Sequence, residues 1–315
     1  MPEIIAVDLG GTNIRVARFP TVQIHPSAQS KTPTQAADGP GPVIARILRT
    51  IEEIASPLPT GLRIGVAAPG PLDPRQGIVI EAANLPGWHN IPLRAQVAEH
   101  FHCPVAVGND ANLAAVGEWR FGAGRGTHDL LYLTISTGIG GGVIIDDALL
   151  VGSRGLGAEL GHMTIDRGGP LCGCGRRGHL EAIASGPAIA RAAAARLERG
   201  EPSSLADVLR HAGPLSAEQV GRAANEGDPL AMEVVAAAAE AIGCHLASLM
   251  HAFDPQVIVL GGGVMQIGDF FMQRIDRAMR QSVMSPAYLD GLRLLPAQLG
   301  DDAGLIGAMV AASEL

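Results

Sequence analysis

Short apolar runs that end in glycine turns set the rhythm of the chain. Ile4–Val7 is apolar throughout and reads as a buried strand. The turn Asp8-Leu-Gly-Gly-Thr-Asn13 follows, and residues 14–19 read as extended again. The same outline returns later. Leu130–Ser136 is a strand, Thr137-Gly-Ile-Gly-Gly-Gly142 a glycine turn, and Val143–Asp146 a returning strand. A third glycine turn, Gly261-Gly-Gly263, closes the strand Gln256–Leu260. Leu62–Ala67, Val105–Val107 and Arg293–Leu295 are further strands, and 68–73 is a turn. Between them the apolar period becomes helical. Positions 43, 44, 47, 48, 51 and 54 form one stripe, so a helix is predicted over Val43–Ala55, stopped by Pro57 and Pro59. Helices are also predicted over Leu93–Phe101, Leu113–Trp119, much of 181–253, 268–281 and Leu305–Ala312, while 26–42 and 84–88 read as loops. The repeated strand–glycine turn–strand unit suggests two related α/β halves, each offering a glycine turn to a shared cleft.

Composition narrows the class. The 315 residues are 47% hydrophobic, so a sizeable core is available, and 41 glycines against 3% aromatics suit a turn-rich α/β enzyme. A net charge of −8 argues against a nucleic-acid or anionic-membrane surface, both of which need a basic face. Met1-Pro2-Glu3 runs straight into the first strand without a basic leader, so a cytoplasmic protein is expected. Val234–Phe253 is the most apolar long segment. Glu240, His245 and His251 interrupt it, which favours a buried helix over a membrane span. Four cysteines in a chain this long do not make a disulfide framework, and Cys103 and Cys244, alone in apolar settings, are expected as core thiols.

The turns carry candidate chemistry. Glycines let backbone N–H groups approach an anion, and Thr12 adds a hydroxyl donor. Asp8, at a strand end, is suited to hold Mg²⁺ through waters. The ordinary alternative is a hairpin with a turn-capping Asp, but three such turns after three strands fit a nucleotide. A dinucleotide fold is not indicated, because the first turn opens a second strand and the G-x-G-x-x-G spacing is absent. Asn109-Asp110 lies between a strand and a helix, where one residue serves as the N-cap. The other is then free to face the cleft, and a carboxylate there can act as general base on a hydroxyl. Asn84, in a Pro-Gly loop, is a hydroxyl-binding candidate, though on its own it reads better as a turn residue. Cys172-x-Cys174, with His162 ten residues before and His179 five after, supplies four zinc-ligand types, enough for a closed structural site. The alternative is two free thiols and two surface histidines. Glu159 and Glu181 stand just beside this set.

Taken together these residues resemble the ROK family (repressors, open reading frames and kinases). The resemblance is carried by Asp8-Leu-Gly-Gly-Thr12, by Gly108-Asn-Asp-Ala-Asn-Leu-Ala-Ala-Val-Gly-Glu118 and by Ser136-Thr-Gly-Ile-Gly-Gly-Gly142. It continues in Glu159-Leu-Gly-His162, in Cys172-Gly-Cys-Gly-Arg-Arg-Gly178 with Glu181, in Leu260-Gly-Gly-Gly-Val264 and in Asp302-Ala-Gly-Leu-Ile-Gly307. It implies an α/β protein of the actin-like ATPase (ribonuclease H-like) fold, with two lobes around a central cleft. Residues 1–113, with the last helix at 302–315, would form the small lobe, and 114–301 the large lobe with the metal motif. It implies an ATP-dependent sugar kinase, most similar to the glucokinase branch, that phosphorylates the 6-hydroxyl of glucose at the entry to glycolysis. Asn84, Asn109, Asp110, Glu159, His162 and Glu181 would hold the sugar, with Asp110 as catalytic base. Asp8, Gly10, Gly11, Thr12, Thr137, Gly138, Gly261 and Gly262 would hold ATP and Mg²⁺. His162, Cys172, Cys174 and His179 would hold structural Zn²⁺, so that His162 serves both metal and sugar. The family usually has a third cysteine where this chain has His179, so the ligand set loses one negative charge.

The family also includes kinases of N-acetylmannosamine, N-acetylglucosamine, mannose and fructose, whose hydroxyl-binding residues are shared, and polyphosphate is an alternative donor. Its sugar-responsive repressors carry a helix-turn-helix before the first turn. Only seven residues precede Asp8 here, which disfavours that class. The expected partners are therefore a sugar and ATP, with neither nucleic acid nor membrane, and the family's habit implies a homodimer or homotetramer.

Overall fold

In a computed structural model, residues 3–315 are described. Met1 and Pro2, where the leader-free start was expected, lie outside the described residues. The chain divides into two compact units. The first contains the residues up to His128, Gly142–Ala158 and Gln298–Leu315, and the second contains Asp129–Gly141 and Glu159–Ala297.

The first unit opens with β1 (Ile4–Leu9), β2 (Asn13–Phe19) and β3 (Ala28–Pro33), then α1 (Pro40–Ala55) and β4 (Arg63–Ala68). The short strands β5 (Leu72–Asp73), β6 (Ile78–Glu81) and β7 (His89–Ile91) follow, then α2 (Leu93–Phe101), β8 (Val105–Asn109) and α3 (Asp110–Phe121). The main sheet has the order β3-β2-β1-β4-β8. Its first three strands are antiparallel neighbours, and β1, β4 and β8 are parallel. Ile5, Val7, Val16 and Val66 of the sheet and Ile44, Ile47 and Ile51 of α1 share one buried core. Each such side chain contributes about 2 kcal/mol when removed from water.

Two departures from the sequence reading fall here. Residues 26–42 are not all loop, because β3 occupies 28–33 and α1 begins at Pro40. β3 is an edge strand of sequence AQSKTP, mostly exposed, so it has no apolar alternation to betray it. A small antiparallel sheet β5-β6-β7 also forms between 72 and 91, where the sequence reading has only a turn at 68–73 and a loop at 84–88.

The next elements are β9 (Leu130–Ile135), β10 (Ile139–Ile145) and β11 (Ala148–Leu149). The second unit continues with α4 (Leu180–Ala184), α5 (Gly186–Glu198), α6 (Leu205–Ala212), α7 (Ala217–Asn225) and α8 (Pro229–Phe253). It ends with β12 (Val257–Gly261), α9 (Asp269–Ser282) and β13 (Arg293–Pro296). β12 pairs in parallel with β9 and with β13, repeating the parallel half of the first sheet. The expected glycine turn 137–142 is mostly strand. Only Ser136–Gly138 turns, and β10 starts at Ile139. Gly141 is small for packing, not for bending: a Cβ there would sit 2.5 Å from Leu160 Cδ1.

α8 is the one helix among the described residues long and apolar enough to cross a membrane, and 61% of that window is buried in the protein. Cys244 on α8 is not a core thiol. It is exposed, with Sγ 3.3 Å from Ser282 Oγ, because it lies on the flank that α8 turns outward. Cys103 is half-buried.

The chain closes with α10 (Ala303–Ser313), part of the first unit, which packs on α3, β1 and β4. The approach is backbone to backbone. A Cβ at Gly307 would lie 1.7 Å from Leu113 O, and one at Gly65 1.9 Å from Ala308 O.

Candidate active site

In the first unit, Asp8 ends β1 directly opposite Arg15 of β2. Arg15 also pairs with the Asp302 carboxylate and bonds to the Asp301 carbonyl, and it stands 4.0 Å from Asp8. Burial pushes the Asp8 carboxyl up to about 6. Arg15 opposes the rise, and Asp301 and Asp302 add to it. Gly304, in the first turn of α10, leaves the Asp8 oxygens within 3.5–3.8 Å of where a Cβ would be, so the carboxylate faces a helix N-terminus.

The adjoining turn is a hairpin closed by Gly10 N donating to Asn13 O at 2.9 Å. Buried Thr34 braces it, with N donating to Thr12 O at 2.8 Å and Oγ1 to Gly10 O at 2.6 Å. Gly11 lies against Asn84, since a Cβ on it would be 3.0 Å from Asn84 Cβ. The sequence-predicted Asn84 is thus beside the turn and exposed.

Asn109 takes the N-cap of α3, its Oδ1 accepting from Asn112 N at 3.0 Å. Its Nδ2 donates to Gly70 O at 3.2 Å. Asp110 is therefore released from capping and stands as the first residue of α3, with Oδ1 accepting from Ala111 N at 2.8 Å.

In the second unit, Glu159 precedes and His162 ends a one-turn 3-10 helix, Leu160–His162. Crowding around the Glu159 carboxyl pushes its pKa up, His162 pulls it down, and Glu181 pushes it up again. Glu181 lies in the first turn of α4, with Oε2 accepting from Ile139 N at 3.0 Å and Oε1 3.5 Å from Cys172 Sγ. The cysteine loop is a tight reversal: Cys172 N donates to Arg176 O and Gly175 N to Cys172 O, with Gly175 at φ +83°.

This loop brings His162, Cys172, Cys174 and His179 together, their donor atoms all within 4.8 Å of one another. Cys172 Sγ is 3.7 Å from His162 Nδ1, and Cys174 Sγ is 3.3 Å from His179 Nδ1. A tetrahedral ion with bonds of about 2.3 Å to sulfur and 2.0 Å to nitrogen needs S···N edges of about 3.6 Å. The donor set fits such an ion. Burial pushes the Cys172 thiol up to about 11, a cost that a bound cation would reverse. Since His162 presents Nδ1 to this cluster, its Nε2 is left for another partner.

A cavity of about 940 Å³ opens beyond the carboxyl ends of β9 and β12, where parallel sheets bind ligands. Thr137 lines it. Gly261 and Gly262 are not among its lining residues. A Cβ at Gly262 (φ +89°) would lie 2.3 Å from Ile135 O, and Gly263 and Val264 reach the cavity. Its other walls come from the start of α5 and from Ser216–Glu226, which includes α7. None of these was predicted from sequence. They are small residues, backbone and ordinary helix surface, with no motif to mark them.

The pattern of the ROK family matches residues 4–314. The chain belongs to the ROK family. A glucokinase from Thermotoga maritima is 34% identical over 97% of this chain and 96% of its own length. The ROK hexokinase from Thermus thermophilus superposes with a TM-score of 0.81 at 36% identity, over 99% of this chain and 98% of that one. A ROK family glucokinase from Streptomyces griseus, solved in complex with glucose and AMPPNP, gives 0.85 at 33% identity over 99% and 100%. The fold is the actin-like ATPase α/β fold of ROK proteins.

Proposed function

We propose that this ROK protein is an ATP-dependent glucokinase, moving the γ-phosphoryl group of ATP to the 6-hydroxyl of glucose. The observation that carries the reading is the release of Asp110 from capping: Asn109 takes that task, and the carboxylate stands at the start of α3. As the sugar oxygen attacks the γ-phosphorus and the bond to the β-phosphate oxygen breaks, the hydroxyl proton passes to Asp110 and ADP leaves with the bonding electrons. The transition state is loose, so positioning matters more than a raised basicity of Asp110.

Asn84, Asn109, Glu159, His162 and Glu181 would orient the sugar. Asn109 retains one N–H and one lone pair after its cap and Gly70 bonds, enough for one hydroxyl. Asp8, Gly10, Gly11 and Thr12, with Thr137, Gly138, Gly261 and Gly262, would hold the phosphates. The nucleoside would occupy the cavity walled by α5 and α7. Mg²⁺ beside Asp8 would offset phosphate charge. Zn²⁺ is the ion that a tetrahedral two-Cys, two-His set favours, and it would clamp His162 in one orientation. Residues 1–113 with 302–315, and residues 114–301, are the lobes of this reading. The enzyme would act in the cytoplasm as a homodimer or homotetramer.

A coupled ADP-release assay over a panel of glucose, mannose, fructose, N-acetylglucosamine and N-acetylmannosamine tests this, with ATP and polyphosphate as donors. Fastest turnover on glucose with ATP is expected. No turnover on glucose overturns the reading.

A further inference from the structure

Gly10 and Gly11 stand side by side in the first turn and carry no side chain to fix the peptide plane between them. A residue from another strand end does so. Thr34 directly follows β3, and its N–H donates to Thr12 O at 2.8 Å, one step beyond the Asn13–Pro33 pair of the β2–β3 ladder. The Thr34 carbonyl accepts from Arg46 Nη1 of α1, and Arg46 is itself tied to Asp38 at 2.8 Å. Thr34 is thus anchored on both sides, and it is fully buried.

Packing alone does not call for its hydroxyl. Valine has nearly the same shape and a strong strand preference, and a buried hydroxyl is costly unless it is bonded. Thr34 Oγ1 lies 2.6 Å from Gly10 O. A carbonyl oxygen can only accept, so the hydroxyl is the donor. A trans peptide is planar, and its C=O and N–H point in opposite directions. With Gly10 O held toward Thr34, the N–H of Gly11 points away from it. That N–H has no acceptor among the described residues, and Gly11 is only half-buried. A donor fixed in this way before an anion arrives needs no reorganisation to bind it.

We propose that Thr34 is a positioning residue that aims the Gly11 N–H at a phosphate oxygen of the nucleotide by holding the Gly10 carbonyl. The role toward phosphate rests on the kinase reading above, whereas the hold on the turn does not. Thr34→Val keeps the shape and removes the donor. Thr34→Ser keeps the donor and removes a methyl group. A packing role predicts that Val is tolerated better than Ser, and a positioning role predicts the reverse.

Two readouts decide it. Hydrogen exchange of the 10–13 amides should rise about tenfold in Thr34→Val, the scale of one lost hydrogen bond, and stay near wild type in Thr34→Ser. By calorimetry with Mg²⁺ present, AMPPNP should bind about tenfold more weakly to Thr34→Val and recover in Thr34→Ser, while glucose titrated alone stays within about threefold of wild type. Unchanged exchange in Thr34→Val, or exchange in Thr34→Ser as fast as in Thr34→Val, overturns the hold on the turn. Faster exchange with unchanged AMPPNP affinity, or an equal loss of glucose and AMPPNP affinity, overturns the role toward phosphate. If the wild type binds no AMPPNP, the kinase reading and the phosphate role fail together, and the exchange comparison still decides the hold. Should Thr34→Val not fold, Thr34→Ala against Thr34→Ser makes the same comparison.

Discussion

The carboxylate of Glu118 accepts from Leu299 N at 2.7 Å, joining the last turns of α3 to the segment that leads into α10. Its other oxygen accepts from Ala123 N at 2.9 Å and Gln298 N at 3.1 Å. The side chain is fully buried, and three backbone donors converge on it, one five residues along the chain and two 180 and 181 residues along. Asp110 stands at the opposite end of the same helix.

Glu118→Ala would leave those three buried N–H groups without partners. At about 1–3 kcal/mol for each group left unsatisfied, with partial relaxation, a loss of about 3–5 kcal/mol is expected. Glu118→Gln should lose nearly as much, since its amide nitrogen must face a donor. Urea unfolding measures both, and a loss below about 1 kcal/mol in Glu118→Ala would show that the three bonds are not acting together.

Asp110→Asn preserves shape, and its Oδ1 still accepts from Ala111 N, so α3 and sugar binding should be kept. Turnover should fall by at least about a hundredfold, the lower end of general-base contributions. Steady-state kinetics with glucose and ATP checks this, together with glucose binding by calorimetry. Activity above a tenth of wild type would remove Asp110 from the role of base.

These two residues also mark what could be read from the chain. Glu118 and Asp110 both lie in the Gly108–Glu118 run, and the pairing of a cap residue with a second polar residue was legible there because a helix start needs only one of them as its N-cap. The convergence of His162, Cys172, Cys174 and His179 was legible because two cysteines one residue apart, wrapped in glycines, do not suit an apolar core. β3 was not, because an exposed edge strand gains its stability from backbone bonds to β2 and needs no apolar alternation. Gly140–Gly142 misled because glycine serves close packing as well as turns, as Leu160 against Gly141 shows. The cavity beyond β9 and β12 was invisible because its walls bring together segments far apart in sequence, with Ser136, Pro187, Ser216 and Gln266 among them.

Asp8 makes a pH prediction. Its pKa is 3.8 ordinarily and about 6 in the folded protein, raised chiefly by burial. Between these values the native state holds more protons than the unfolded state, so stability falls as pH rises from about 4 to about 6. The full cost, about 3 kcal/mol as an upper estimate, is present above pH 6 and absent below 4. Asp8→Asn should abolish this slope in Mg²⁺-free protein, while Arg15 keeps its partner Asp302. Denaturant unfolding of both proteins from pH 4 to 8 gives the difference curve, and parallel curves would contradict the assignment.

The metal prediction turns on His179. Its Nδ1, the ring nitrogen nearer the backbone, is the atom 3.3 Å from Cys174 Sγ. A cysteine sulfur with its bond to zinc longer by about 0.3 Å comes close to the same ion. His179→Cys should therefore complete a three-thiolate site and add a negative charge to the ligand set, and zinc should be held at least about tenfold more tightly. Wild-type protein should carry one zinc per chain by metal analysis, and a chelator should lower its melting temperature by destabilising the 159–181 region. Competition against a chromogenic chelator ranks the two proteins. Equal or weaker retention by His179→Cys would mean that His179 is not a ligand, and zinc lost equally from both would leave the site to His162, Cys172 and Cys174.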